Sequence, residues 1–124
     1  MRQIALSLIL LSNLVCCGCL TINCSDEVKA NSSSPDDKYI ATLYERNCGA
    51  TTDFTTIVNL RSSKEKFDSE KGDLVIIEGR HQVNILWKDE RTLQVECKDC
   101  RSEDMFKRES VWGDIEILYE ARAN

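Results

Sequence analysis

From Tyr39 onward the dominant hydrophobic period of this chain is two. Side chains alternate between the two faces of a strand, whereas a helix repeats every 3.6 residues, so this period restricts the chain to β architecture. Tyr39 to Glu45 reads as a first strand. Phe54, Thr56, Val58 and Leu60 line one face of a second. Leu74 to Glu78 reads as a third strand, and its continuous Leu-Val-Ile-Ile suggests a central place in a sheet. Val83, Ile85 and Trp87 form the buried face of a fourth strand, and Leu93, Val95 and Cys97 that of a fifth. In the last strand Ile115, Ile117 and Tyr119 alternate with Glu116, Leu118 and Glu120. Turn chemistry falls between these runs: Ser34-Pro35-Asp36-Asp37-Lys38, Asn47-Cys48-Gly49-Ala50, Gly79-Arg80, Lys88-Asp89-Glu90-Arg91 and Gly113-Asp114. Ser102 is a candidate cap for a short helix, with Glu103 and Asp104 in its first turn. Short connections and a single proline favour antiparallel neighbours. The expected fold is therefore mainly β, an antiparallel meander or small sandwich with at most one or two short helices.

The first residues do not belong to that pattern. Arg2 supplies one positive charge, and Ile4 to Val15 is an apolar run of twelve residues broken by Ser7, Ser12 and Asn13. A membrane-spanning helix needs about twenty. Charge, then apolar run, then a small residue is the order of a cleaved export signal. Gly18 directly precedes Cys19, the arrangement of a bacterial lipoprotein signal, in which the cysteine thiol takes a diacylglycerol and the peptide is cut before it. Cys16 and Cys17 lack a small residue before them, and Cys16 sits where an aliphatic residue is favoured. The expected division is a signal at 1–18, an acylated Cys19 with a flexible linker to residue 37, and a single β domain at 38–124. The linker assignment rests on its Ser, Asn and Asp content, and the Asn31-Ser32-Ser33 triplet is read as part of that composition. The expected location is the bacterial cell envelope, in the outer membrane of a diderm because Leu20 rather than Asp follows Cys19.

Net charge is −5, and loss of Arg2 with the signal makes it −6. An acidic domain repels phosphate backbones, so nucleic acid is not an expected partner. Of seven cysteines, Cys16 and Cys17 leave with the signal and Cys19 is acylated. Cys24, Cys48, Cys97 and Cys100 remain, in a compartment that permits disulfides. Cys97 with Cys100 is the local pairing, leaving Cys24 with Cys48. In the alternative, Cys48 crosses to one of that pair and Cys24 stays free. The sequence leaves both open.

Cys97-Lys98-Asp99-Cys100 is the sharpest constellation. A redox motif would need a helix N-terminus in a βαβ setting to lower the thiolate pKa, and here the motif follows a strand. Half a zinc site would need two further ligands, and Cys48 and His81 stand far off in sequence. A structural disulfide is the expected role. Cys48 as a nucleophile with His81 as base would need the two within hydrogen-bond reach, which no spacing implies; Thr51 and Thr52 read as loop-shaping hydroxyls. Trp87 shares a face with Val83 and Ile85 and reads as core, whereas Trp112 beside Gly113 is the candidate binding residue. The charged Arg61–Lys71 stretch reads as a solvated connection, with a basic partner as its functional alternative. No catalytic residue, metal or cofactor is expected.

Ser34-Pro35-Asp36-Asp37-Lys38-Tyr39, followed by Cys48-Gly49-Ala50-Thr51-Thr52, resembles a family of small bacterial lipoproteins and secreted proteins. Their pattern is Ser-Pro-Asp-Gly-x-Tyr and then Cys-Gly-Ala-Thr-Thr. Asp37 stands where that family has glycine. The resemblance implies location and fold and carries no catalytic residue. The function expected is a non-catalytic, membrane-tethered protein that binds another envelope protein, of inhibitor or immunity type. The alternatives are a structural envelope lipoprotein without a discrete ligand, or a thiol-redox factor using Cys97 and Cys100.

Overall fold

The computed structural model describes residues 24–49 and 53–121. The expected signal, Cys19, and Thr51 with Thr52 lie outside the described residues. Among the described residues nine strands form two sheets. The first has the order β1 (Ser25–Ser33), β2 (Tyr39–Asn47), β3 (Thr55–Ser62), β4 (Asp73–Glu78) and β7 (Met105–Arg108), all antiparallel. The second has the order β5 (Val83–Asp89), β6 (Thr92–Cys97), β9 (Ile115–Ala121) and β8 (Val111–Trp112). The mainly β expectation holds, and a 3-10 turn at Ser102–Asp104 is the helical element among the described residues. Ser102 lies inside that turn and Arg101 is its cap, so the capping role expected of Ser102 does not arise.

The two sheets share one core. Ala41, Leu43, Val58, Leu60, Val75 and Ile77 of the first meet Val83, Leu93, Val95, Ile115 and Ile117 of the second. Leu60, Leu74, Ile77, Leu93 and Ile115 are almost fully buried. Each such side chain contributes about 1.5–3 kcal/mol relative to exposure. Tyr39 closes one side of the core. It stacks on Trp87 at 6.5 Å and meets Trp112 edge-on at 5.8 Å. Trp87 also donates its indole N–H to the Ser32 carbonyl at 3.0 Å.

Three features depart from the sequence reading. Ser25–Ser33, expected within the linker, is the edge strand β1. A strand edge is satisfied by backbone groups, so a polar segment serves there as well as an apolar one, and charged edges also discourage further pairing. Lys29 and Asp26 reach Glu45 and Arg46 on β2, and the Cys24–Cys48 disulfide ties the open end of the hairpin. Second, β6 and β9 run parallel. Between them the chain leaves the second sheet, adds β7 to the first and returns through β8, so β9 arrives in the direction of β6. Third, the stretch after Arg61 folds back over the outer face of the first sheet. Phe67 packs edge-on against Tyr44 at 5.1 Å, and Arg61 lies over Phe67 at 5.6 Å. One apolar residue in a charged run is enough to dock it.

The β1–β2 turn shows how Asp37 serves in place of glycine. Its φ is +57°, a left-handed conformation that aspartate tolerates better than most residues. Ser34 organises the loop, donating to Asp36 at 2.7 Å and accepting from the Tyr39 N–H at 3.0 Å. That Ser34 hydrogen bond is the main reason the Asp36 carboxyl is held below its ordinary pKa. Asp37→Val puts a β-branched residue at positive φ and is expected to cost about 1–2 kcal/mol, whereas Asp37→Gly stays within about 1 kcal/mol of the parent. Chemical denaturation checks both.

Candidate functional site

Among the described residues the chain changes sheets at three places, and two of these crossings meet in one corner. Gly79–Gln82 carries it from β4 to β5, and the segment after Cys97 carries it from β6 toward β7. The Lys98 N–H donates to the Gln82 carbonyl at 3.4 Å, and the Gln82 N–H to Asp99 Oδ1 at 3.3 Å. Thr56, buried on β3, holds the first crossing from below. Its hydroxyl donates to the Gly79 carbonyl at 2.7 Å and accepts from the His81 N–H at 3.3 Å. Gly79 has φ +90°, and a Cβ there would sit 3.3 Å from His81 Nε2. The imidazole therefore folds back over a position that only glycine leaves open.

This corner brings His81, Cys97, Asp99 and Cys100 together. Cys97 and Cys100 are joined as a disulfide, the local pairing, and Cys24 pairs with Cys48. His81 Nε2 bonds to the Glu78 carbonyl. A carbonyl only accepts, so Nε2 carries the proton, and in the neutral ring Nδ1 presents a lone pair. Nδ1 is buried and makes no hydrogen bond; Asp99 Oδ2 stands 3.4 Å away. Asp99 Oδ1 lies 3.6 Å from Cys97 Sγ. Both sulfurs are nearly inaccessible, each cysteine being 1% exposed. Attack on a disulfide needs access to a sulfur, and three residues of 3-10 turn offer no helix N-terminus to favour a thiolate. The corner is thus poorly shaped for thiol exchange with a large partner. Cys48, bonded to Cys24, carries no free thiol for the nucleophile reading, and His81 lies beside the other disulfide.

The second feature is the outer face of the four-stranded sheet. Leu86, Gln94 and Leu118 lie opposite one another across β5, β6 and β9, as do Thr92, Glu116 and Val111 across β6, β9 and β8. Leu86 is 52% exposed, Leu118 41% and Val111 61%. Glu96 and Glu120 form the neighbouring row, with Glu120 accepting from Gln94 at 2.6 Å. The face carries an interrupted apolar strip, with Gln94 between Leu86 and Leu118, framed by carboxylates, and no described segment covers it. Its leucines were legible as the outward members of alternating strands, but the register that unites them was not. Trp112, the expected binding residue, is half-buried and packs on Tyr39, so it belongs to the side of the sandwich.

Comparison with protein families, curated proteins and solved structures finds no match to this chain. Among the described residues no helix is long and apolar enough to cross a membrane.

Proposed function

We propose that this is a lipid-anchored bacterial envelope protein that acts without catalysis, binding another protein through the outer face of its four-stranded sheet. The observation that carries the reading is the strip of Leu86, Leu118 and Val111, large side chains left in water on registered strands. Exposed apolar groups rimmed by polar ones are the common composition of a binding patch. The frame of Glu96, Glu116 and Glu120, on a chain of net charge −5, favours a partner whose contacting surface is basic. A secreted basic enzyme held in check at the envelope suits such a surface. The Gly18-Cys19 junction supports the anchor. With Cys19 acylated, the lipid holds the domain at the membrane and raises its local concentration over any partner there.

A photo-reactive amino acid in place of Leu118, in the full-length protein in its own cells, tests the face. One discrete protein adduct is expected from that position, weakened by salt, and none from Lys64 on the opposite sheet's covering loop. An equal pattern from both positions, or none from Leu118 in folded protein, overturns the reading. Metabolic palmitate labelling tests the anchor separately: label is expected in the parent and lost in Cys19→Ser.

A further inference from the structure

We infer that His81, Cys97, Asp99 and Cys100 form a zinc site in the reduced protein, so that this corner has two mutually exclusive states, metal-bound dithiolate and disulfide. This stands apart from the docking face. A ring nitrogen of His81, a carboxylate oxygen of Asp99 and the two sulfurs all lie within 4.8 Å of one another, and it is Nδ1 that stands 3.4 Å from Asp99 Oδ2. Tetrahedral zinc with thiolate, imidazole and carboxylate ligands sets ligand atoms about 3.3–3.8 Å apart. The imidazole and carboxylate need move inward by less than the width of an atom, while the sulfurs separate once their bond is gone.

The support around these groups is that of a metal site. A ligating histidine ordinarily donates its other ring N–H to a carbonyl or carboxylate, which fixes the tautomer and the ring's direction. His81 does this through Nε2 to Glu78, and its buried Nδ1 is left without a hydrogen bond. A buried acceptor that makes no hydrogen bond and faces a carboxylate oxygen at 3.4 Å is unfavourable, and a cation between the two removes the cost. The Gln82 N–H orients Asp99 in the same way. The Asp99 side chain is 54% exposed, whereas that of His81 is 11% exposed, so an ion reaches the corner from the Asp99 side. Two thiolates and one carboxylate more than balance the dication, and the soft sulfur donors favour zinc over calcium or magnesium.

The chemistry balances in both directions. From the dithiol, Zn²⁺ displaces one proton from each thiol, two Zn–S bonds form and no electron moves. From the disulfide, a dithiol reductant must first deliver two electrons and two protons, breaking the S–S bond and leaving as its own cyclic disulfide. Oxidation of the loaded site by a disulfide reverses those electrons and releases the ion.

The test uses the full-length protein in detergent, reduced anaerobically with a phosphine, and Co²⁺ as the spectroscopic probe followed by Zn²⁺ competition. One tightly bound Co²⁺ is expected, with the near-ultraviolet band of thiolate coordination and visible bands of tetrahedral geometry, both bleached by Zn²⁺. Cys97→Ser with Cys100→Ser should abolish the thiolate band. Asp99→Asn and His81→Ala should each weaken binding at least tenfold, and circular dichroism must show each variant folded. Cys24→Ser with Cys48→Ser should leave the spectrum unchanged. The proposal fails if folded, reduced protein gives no tetrahedral Co²⁺ spectrum. It fails equally if the spectrum survives loss of Cys97 and Cys100, or if it depends on Cys24 and Cys48. Should His81→Ala misfold, unchanged affinity in folded Asp99→Asn removes the four-ligand site.

Discussion

Gly72→Ala is expected to cost about 2–3 kcal/mol and lower Tm by roughly 10–20 °C, although it adds a single methyl group. Gly72 has φ +87°, and a Cβ there would stand 2.4 Å from the Leu60 carbonyl oxygen. That oxygen belongs to β3, with paired strands on both sides, and cannot give way. The position is also fixed from the other direction, because the Leu60 N–H donates to the Gly72 carbonyl at 2.8 Å. What gives instead is the covering segment before Gly72. Its docking holds a polar network beneath it: Tyr44 donates to Asp73 at 2.9 Å, and Asn59 donates to the Lys71 carbonyl at 2.6 Å and to Asp73 at 3.0 Å. Burial, and then the Asp73 hydrogen bond, push the Tyr44 hydroxyl pKa upward. Lifting the cover returns this hydroxyl toward ordinary titration, so alkaline absorbance provides a second readout beside thermal melting. Gly113→Asn is the control. Gly113 also has positive φ, at +56°, but nothing lies within 4 Å of its missing Cβ, and asparagine tolerates that conformation. A Tm change of less than about 2 °C in Gly72→Ala would contradict the close approach.

Leu93→Ala is expected to cost about 3 kcal/mol, within the 2–5 kcal/mol range for a leucine cut from a packed core. Leu93 lies on β6 between Trp87 and Ile117 and is completely buried. Both sheets contribute to the core it fills, so little can collapse into the space it leaves. The neighbouring strand supplies the contrast. Leu86→Ala, on the opposite face of the same sheet, is expected within about 0.5 kcal/mol of the parent, because the side chain already stands half in water. Urea denaturation of both variants checks the pair. Equal costs would mean the outer face is covered in solution by something within the protein, and the docking proposal would lose its basis.

The strands that bury one face were legible because alternation is a property of side chains. Leu93, Val95 and Cys97 announce an inner face without help from any partner. β1 was not legible, because its place depends on backbone pairing with β2, and Ser, Asn and Asp do not signal that. The docked loop was hidden for a related reason: Phe67 alone among charged residues gives no period. β7 is four residues long and follows a 3-10 turn, too short for a pattern to form. The parallel pairing of β6 and β9 follows from where the chain crosses between layers, a property of topology rather than of either strand. The corner cluster shows the limit most plainly. Cys97 and Cys100 stand out at once in the sequence, and His81 is a candidate ligand there. Only the meeting of the two crossings brings His81 to them, and nothing in the sequence marks Asp99, between the cysteines, as a fourth donor.

The docking face is most directly tested by changing the strip without changing the fold. With a photo-reactive residue at Val111, Leu86→Glu combined with Leu118→Glu should reduce the partner adduct at least tenfold, since tenfold corresponds to about 1.4 kcal/mol and burying an unpaired carboxylate in the contact costs more than that. Phe106→Glu, at an exposed residue of β7 in the other sheet, should leave the adduct unchanged. An adduct of undiminished yield in the folded double variant would contradict the account.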